Sequence, residues 1–441
     1  MNFNVKFIIV GVILIIGFSI FGIFELVKKP NITPPQSEEN PSEEVETPTE
    51  EIPGTNVLVP LFDYKIIKEV NKNYSENYLV SPLSMAYALT ILKEGAKNNT
   101  KSQLSILLNN YQLKNTYEIK DKISIANALF IKESEKENIY SNYITKVKNT
   151  YNSEIIFDDF SSPKTINDWV YKKTYKMIEK TVDYLSPESV LAIVNAIAID
   201  VEWKNKFECE RTHEDEFTLY NNKTMKTPMM NSSDDVYYIE SDKAKGIIKD
   251  YKIYDKKTGE AVYEPNNNTV ELEYIAILPN GDIKDYVNKL DNTELTKLIN
   301  SKKQANDKLS INYSIPKYTY DFDYSKFKQS LVDLGASDMF EGGIADFTNM
   351  ADKRLGLFVS QAIHKTHIEF SENGTKAAAV TAIIMDKNAI MIEPKEEINI
   401  KFNKPFVYII KEKNSNNIWF FGTVYEPMKW EDNKPEECEK Y

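Results

Sequence analysis

A long uninterrupted body is the feature that most limits how this chain folds. Residues 55–428 contain neither a low-complexity break nor an internal repeat, and 42% of the 441 residues are apolar. A single body of about 370 residues can bury a large hydrophobic core without help from disulfides. The pattern predicts one large domain over residues 55–428, followed by a charged tail over residues 429–441.

The apolar periodicity within this body changes from helical to strand-like along the chain. Apolar side chains first recur at helical spacing, and a Ser-Pro pair opens the second of these stretches. Later stretches are short apolar runs of the kind that form strands buried on both faces. Helices followed by strands predict an α+β fold. The helical stretches are residues 58–70 and 81–92, and the strand-like runs are residues 192–199, 272–278, 398–402, 406–410 and 418–424.

The N-terminus carries an apolar segment. Residues 7–24 form the uncharged run FIIVGVILIIGFSIFGIF, which is about long enough to cross a hydrocarbon core as a helix. Residues 1–29 are therefore predicted to be an uncleaved anchor that enters the membrane through residues 7–27. A cleaved signal segment is the alternative, although the run is long for a signal and no small-x-small cleavage site follows it.

The flanks of the anchor leave its orientation open. Lys6 precedes the apolar run while Lys28 and Lys29 follow it, so the positive-inside rule favours neither side. Residues 30–54 are rich in proline and glutamate and contain no aromatic residue, which predicts an extended linker. We expect the body outside the cytoplasm, because of the function inferred below, and secreted if the segment is cleaved.

Charge and cysteine content exclude two classes of protein. The net charge is -12 and the pI is near 5.1, with lysines and arginines spread along the sequence. No basic stripe is available to neutralise a phosphate backbone, so no nucleic-acid partner is expected. The two cysteines, Cys209 and Cys438, leave a single disulfide open and rule out a disulfide framework.

Catalytic signatures are missing from the sequence. There is no Gly-x-Ser-x-Gly elbow and no phosphate loop ending in Gly-Lys-Ser/Thr. The three histidines are His213, His364 and His367. The stretch from His213 begins like a zinc-protease helix, but Phe217 stands where the second ligand is required, which favours an exposed charged turn. We therefore predict no catalytic residue, no metal site and no cofactor, and we do not expect an enzyme.

An unusual segment runs from Phe370 to Glu393, with the sequence FSENGTKAAAVTAIIMDKNAIMIE. Gly374 supplies a hinge, and from Thr375 to Thr381 every second residue is small. Small side chains on one side of a strand can enter a sheet interior without overpacking it. Consecutive alanines also favour a helix, so local propensity alone leaves strand and helix open.

Short motifs stand in a fixed order along the whole body. They are SPLS at 81–84, GAKNNT at 95–100, IANALF at 125–130, NDWV at 167–170, VNAI at 194–197 with Trp203, SQAIHK at 360–365, ENGT at 372–375, FNKPF at 402–406 and FG at 421–422. This ordered set resembles the motifs of the serpin family. One such motif would be weak, but an ordered set over most of a chain is specific. At Lys376 the family commonly has glutamate, and the stretch Ile197–Glu202 replaces an aromatic pair followed by Lys-Gly.

The resemblance implies a fold and a function. Helices would pack around a large central β-sheet and two smaller sheets, with an exposed reactive-centre loop. A serine or cysteine endopeptidase would cleave the loop 374–394 and be trapped as a covalent acyl complex when the loop inserts into the sheet. The partner would be that protease, and the inhibitor a monomer. The alternative is a non-inhibitory serpin that acts as a binding or carrier module at the cell surface.

The resemblance also assigns roles to residues. Counting from Gly374 places the reactive bond at Asn388-Ala389, while a loop one residue shorter would be cut after Lys387, which suits a trypsin-like pocket. His364 would be structural rather than catalytic, as one of four polar residues under the sheet. That polar cluster is Ser81, Ser84, Asn195 and His364, and the loop hinge is Glu372, Gly374, Thr375, Ala377, Ala378, Ala379 and Thr381. The abundance of lysine, asparagine and isoleucine favours an AT-rich genome and hence a bacterium, and with the apolar N-terminal run this indicates a bacterial, membrane-anchored member.

Overall fold

The computed structural model describes residues 57–113, 119–185, 189–233, 236–375, 396–413 and 415–433. Residues Pro53–Tyr441 form one compact unit. None of the helices in the described ranges combines the length and the apolar content that a membrane span needs. The predicted anchor over residues 1–29 and the predicted linker over residues 30–54 lie outside the described residues, so both remain predictions.

The described ranges contain eight α-helices and twenty-one β-strands. The helices are α1 (Leu61–Asn73), α2 (Pro82–Gly95), α3 (Asn98–Leu108), α4 (Ser141–Tyr151), α5 (Lys164–Lys173), α6 (Ile283–Lys289), α7 (Asn292–Asn300) and α8 (Phe327–Asp333). The first eleven strands are β1 (Leu79–Val80), β2 (Ile123–Lys132), β3 (Glu154–Asp158), β4 (Leu191–Ile199), β5 (Val201–Glu202), β6 (Thr212–Thr218), β7 (Thr224–Ser232), β8 (Tyr237–Glu240), β9 (Ala244–Asp250), β10 (Ile253–Asp255) and β11 (Ala261–Val262). The other ten are β12 (Thr269–Val270), β13 (Leu272–Pro279), β14 (Lys303–Gln304), β15 (Leu309–Pro316), β16 (Tyr318–Asp323), β17 (Gln361–Phe370), β18 (Gly374–Thr375), β19 (Glu396–Lys401), β20 (Phe406–Glu412) and β21 (Ile418–Val424).

Two sheets of seven strands form the framework. The first, which we call the mixed sheet, has the order β3-β2-β4-β17-β18-β5, and β16 pairs with β17 as its seventh strand. Its β2–β3 and β4–β17 pairs are parallel and its other pairs are antiparallel. The second, the antiparallel sheet, has the order β1-β21-β20-β13-β9-β8-β14. A four-stranded sheet, β19-β15-β7-β6, and a three-stranded sheet, β11-β10-β12, complete the strands.

Helix α2 lies between the two large sheets. It contacts β2 and β4 of the mixed sheet and β21 of the antiparallel sheet, and nearly all of its residues are buried. Its start follows from the sequence, because Pro82 fits the first turn and Ser81 Oγ accepts a hydrogen bond from the Ser84 N–H at 3.2 Å. The helix therefore brings two serines against the buried face of the mixed sheet.

The predicted α+β class is confirmed, and so are the predicted helices and strands of the body. Residues 61–73 and 82–95 are helical, and the apolar runs at 192–199 and 272–278 became β4 and β13. The stretch His213–Phe217 is a correction, because it lies in the edge strand β6 rather than in a turn. Its charged side chains face solvent while Phe217 is buried, and charges on an edge strand discourage pairing with other chains.

Candidate functional site

The centre of the mixed sheet contains a pair of strands that are joined over part of their length. Strands β4 and β17 run parallel and pair from Ala192–Gln361 to Ala196–Lys365. Beyond this point β17 continues to Phe370, where the chain turns back as β18. The two long strands are therefore closed at one end and separated at the other.

Strand β18 lies in the open end between β17 and β5. Thr375 pairs antiparallel with Phe370 on one side and with Val201 on the other. Gly374 pairs with Glu202, and a Cβ at Gly374 would lie 2.1 Å from the Val201 carbonyl oxygen, so only glycine fits. The first two residues of the predicted loop 374–394 thus already form a short strand between the parting strands.

Thr375 is held by an aromatic platform. Its side chain is fully buried, and Thr375 Oγ1 lies 2.6 Å from Tyr251 Oη. Trp203 stacks on the Tyr251 ring with centroids 4.3 Å apart, and Trp203 Nε1 donates to the Ser371 carbonyl at 3.0 Å. Burial raises the pKa of the Tyr251 hydroxyl well above its usual range, so it stays protonated. The platform ties the start of the loop to β5 and β9.

Glu372, the first residue of the predicted hinge, forms a buried ion pair. Lys317 Nζ lies 3.0 Å from Glu372 Oε2, and the two side chains are only 5% and 6% exposed. Thr212 Oγ1 donates to Glu372 Oε1 at 2.9 Å, and the backbone N–H of Phe207 donates to the Glu372 carbonyl at 3.0 Å. Buried charges require partners of this kind, because desolvation is otherwise costly. The sequence offered no signal for Lys317, which was missed.

The predicted polar cluster meets beneath the closed part of the strand pair. His364 Nδ1 and Asn195 Oδ1 are 3.1 Å apart across β17 and β4, and His364 Nε2 accepts a hydrogen bond from the Ser81 N–H at 3.3 Å. Asn195 Nδ2 donates to the Ser84 carbonyl at 3.1 Å and to Asn127 Oδ1 at 2.6 Å. Asn127 on β2 is a further member that sequence reasoning missed, although it lies inside one of the quoted motifs.

The environment of His364 keeps its ring neutral. The side chain is buried, and desolvation lowers its pKa from 6.5 to about 3. Because Nε2 accepts from a backbone N–H, the proton must lie on Nδ1, which donates to Asn195. Ser84 Oγ has no hydrogen-bond partner among the residues that the structure describes. The hydrogen bonds of the cluster link helix α2 and strands β2, β4 and β17 to one another.

The rest of the predicted site lies outside the described residues. This holds for the hinge residues Ala377, Ala378, Ala379 and Thr381 and for the two candidate reactive bonds at Lys387, Asn388 and Ala389. The chain is described again from Glu396, where β19 pairs parallel with β15 at the edge of the four-stranded sheet. Within the described ranges, no three His, Cys, Asp or Glu side chains are grouped so as to hold a metal ion.

The comparison with known families decides what this architecture is. The family described as "Serpin (serine protease inhibitor)" matches residues 61–427 of the 441-residue chain. The chain belongs to the serpin family. Serpins as a family are inhibitors of proteases rather than proteases themselves.

Relatives across nearly the whole body support the assignment. This serpin is 29% identical over 397 residues to a leukocyte elastase inhibitor of Xenopus tropicalis, with 83% of this chain and 97% of that protein covered. It is 29% identical over 384 residues to an uncharacterized serpin-like protein of Methanosarcina mazei, covering 82% of this chain and 84% of the other. The elastase inhibitor and the archaeal serpin-like protein thus have the same sequence identity to this serpin.

The solved structures confirm the serpin fold. The crystal structure of tengpin, a thermophilic serpin in its native state, superimposes with a TM-score of 0.69. That match has 29% sequence identity and covers 83% of this chain and 92% of tengpin. The predicted arrangement of helices around a large central sheet with smaller sheets is therefore confirmed. The neighbouring strands β4 and β17 belong to the mixed sheet.

Proposed function

We propose that this serpin traps a serine or cysteine endopeptidase as a covalent acyl complex, through cleavage of the loop 374–394 and insertion of that loop between β4 and β17. The protease nucleophile attacks the carbonyl carbon of the cleaved residue, and the bond to the next nitrogen breaks to leave an acyl ester or thioester and a free amine. Insertion of the loop then has to outrun the hydrolysis of that acyl bond.

The register of β18 is the observation that carries the proposal. Thr375 lies opposite both Phe370 and Val201, and each further loop residue would move one position back along both strands. Six residues on, Thr381 would lie opposite His364 on one side and Asn195 on the other. These two residues are each other's partners in the closed pair. A single strand can therefore enter without a register shift on either side.

The side chains of such a strand would match the space available. Residues directly opposite each other in a sheet share a face, so Ala377, Ala379 and Thr381 would join Ile368, Thr366 and His364 on the inner face. All three of these β17 residues are buried. Small residues fit there, whereas large or charged ones would overpack the interior. The alternation of small residues is thus explained by a strand rather than by a helix.

Insertion would be favourable because β18 and the separated strand ends leave pairing incomplete. A new antiparallel strand would bond to β4 and β17 on both sides and bury its small side chains. The cost is the loss of the β4–β17 pairs and of the hydrogen bond between His364 and Asn195. A cluster that can exchange partners lowers this cost, which is a role for His364 and Asn195 that needs no catalysis.

Two peptide bonds remain candidates for the reactive bond. Cleavage at Asn388-Ala389 would point to an asparagine-specific or broad protease, and cleavage at Lys387-Asn388 to a trypsin-like one with a carboxylate in its pocket. The deciding experiment mixes residues 55–441 with trypsin-like, elastase-like, subtilisin-like and cysteine proteases. We expect a complex that survives a denaturing gel, and mass spectrometry of the released peptide identifies the bond. Cleavage without any such complex would favour the non-inhibitory alternative.

We also propose that the body is held outside the cytoplasm of a bacterial cell by residues 1–29. Cys209 is disulfide-bonded, and disulfides persist in oxidising, extracytoplasmic surroundings. This supports the location independently of the apolar run at residues 7–24. Protease treatment of intact cells that express the full chain tests it. Removal of the body from the cell surface, with a retained N-terminal fragment in the membrane fraction, is the expected result.

A further inference from the structure

A short segment beyond the family match folds against the loop hinge. The serpin match ends at residue 427, yet the Met428 N–H donates to the Lys317 carbonyl at 2.9 Å. The Met428 carbonyl accepts from Thr227 Oγ1 at 2.8 Å, and a 3₁₀ turn follows at Trp430–Asp432. The segment Met428–Asn433, which we call the clamp, therefore crosses the backbone of the residue that pairs with Glu372.

The last described residue of the clamp reaches the buried ion pair itself. Lys317 Nζ donates to Asn433 Oδ1 at 3.0 Å and lies 3.0 Å from Glu372 Oε2. An ammonium has three donors and no acceptor, so a neutral amide oxygen can share it without adding charge. Because Lys317 is almost completely buried, each acceptor matters for holding it in place. Asn433 thus completes the surroundings of the cation that fixes Glu372.

We infer that the clamp positions Glu372 during loop insertion, an inference that rests on the proposed inhibitory function. Insertion lengthens the short strand β18 beyond Thr375, so Glu372 must remain fixed while the loop after Thr375 moves. A loosened hinge delays insertion relative to hydrolysis of the acyl bond. More inhibitor is then consumed as a substrate for each protease trapped. Asn433 is in this sense a positioning residue and does not touch the protease.

The first test compares three variants with the protease that the gel experiment identifies. Asn433→Ala removes the acceptor, Asn433→Asp keeps one, and Asp432→Ala changes an exposed neighbour in the same turn. We expect Asn433→Ala to raise the stoichiometry of inhibition about threefold or more, since a bond to a buried charge is lost. The rate constant of association should stay unchanged. Asp432→Ala should behave as the wild type. Asn433→Asp keeps an acceptor but adds a negative charge beside Glu372, so its stoichiometry should lie between those of the wild type and Asn433→Ala. An unchanged stoichiometry in Asn433→Ala overturns the inference.

A second measurement separates this inference from the proposed function. Hydrogen exchange of the backbone amides at residues 373–375 reports how firmly the hinge is held, whether or not any protease is trapped. We expect faster exchange in Asn433→Ala than in the wild type and in Asp432→Ala. Equal exchange rates overturn the clamp. If the wild type traps no protease while Asn433→Ala still exchanges faster than the wild type, the proposed function is contradicted and the clamp remains as a structural device.

Discussion

His364 on β17 and Asn195 on β4 lie directly opposite each other, and their Nδ1 and Oδ1 atoms are 3.1 Å apart across the strand pair. The same two positions would lie on either side of Thr381 once the loop has entered. One hydrogen bond therefore reports the closed state of the sheet. When the strands separate, His364 and Asn195 must each form a new hydrogen bond.

Removal of the imidazole should destabilise the closed, uncleaved protein. His364→Ala leaves the Ser81 N–H and Asn195 Oδ1 buried without their partner and opens a cavity, at a cost of about 2–4 kcal/mol. Thermal denaturation of the uncleaved protein measures the loss. His367→Ala is the matched control, because His367 pairs with Asp321 near the surface. Equal losses in the two variants would contradict a special role for the cluster.

The same histidine makes stability depend on pH. Its folded-state pKa is about 3 and its ordinary value 6.5, so between these values the unfolded chain binds the proton and the folded chain does not. The stability contributed is complete above pH 6.5 and is lost towards pH 3, by about 1.4 kcal/mol per pH unit. The advantage of the wild type over His364→Asn should therefore shrink from pH 7 to pH 4 in denaturant titrations.

The buried carboxyl of Asp63 changes stability with pH in the opposite direction to His364, so the two effects must be separated. Burial raises the pKa of the Asp63 carboxyl from 3.8 to about 8. The folded chain then keeps a proton that the unfolded chain releases, so this stability is present below pH 3.8 and lost as pH rises towards 8. The wild type alone would show the sum of both effects. The difference between wild type and His364→Asn cancels Asp63, and a gap that widens on acidification would contradict the sign.

The ion pair at the hinge should behave as a coupled unit. Glu372→Leu or Lys317→Met alone leaves one buried charge without its counter-charge, at a cost of about 3–5 kcal/mol. The double variant removes both charges and should be less destabilised than either single variant. Urea unfolding of the four proteins gives the coupling energy. Lys226→Met, which removes an exposed partner of Glu214, should leave stability unchanged, and additive losses at 317 and 372 would contradict the coupling.

The sequence already predicted much of this site, for a physical reason. Helix α2, strand β4 and the small residues after Gly374 are visible because periodicity and side-chain size are local properties of the chain. Gly374 could be assigned to a hinge, but its contact with the Val201 carbonyl is known only from the fold. Partners such as Lys317 and Tyr251 lie far away in sequence and are of types that usually reach solvent. Their burial depends on tertiary packing, so no local pattern indicates them.

Lys376 marks a departure from the family that the inserted register can explain. Next to Thr375 on the outer face, it would lie opposite Glu369 and near Asp200, so its ammonium would meet carboxylates. We expect Lys376→Glu to slow insertion and to raise the stoichiometry of inhibition, with a stronger effect at low salt. The stoichiometry of inhibition of Lys376→Gln should lie between those of the wild type and Lys376→Glu. Unchanged inhibition by Lys376→Glu at every ionic strength would contradict this placement of the residue.

Adjacent alanines of the loop provide the sharpest test of insertion. In the register of β18, Ala377 would face inward between Ile368 and Ile199, both buried, whereas Ala378 would face outward beside His367. Ala377→Arg would place a charge and a large volume in the sheet interior, which packing forbids. We expect this variant to be cleaved by the target protease and to release it, so that no stable complex forms.

Ala378→Arg is the matched control, since it adds the same side chain one position away on the opposite face of the sheet, beside His367. We expect it to be cleaved at the same bond and to form the denaturation-resistant complex nearly as well as the wild type. The two proteins carry the same net charge, so a difference in trapping can come only from the direction of the side chain. If both variants trapped the protease, the loop would not enter between β4 and β17 in this register; if neither did, the loop could not tolerate a bulky residue on either face.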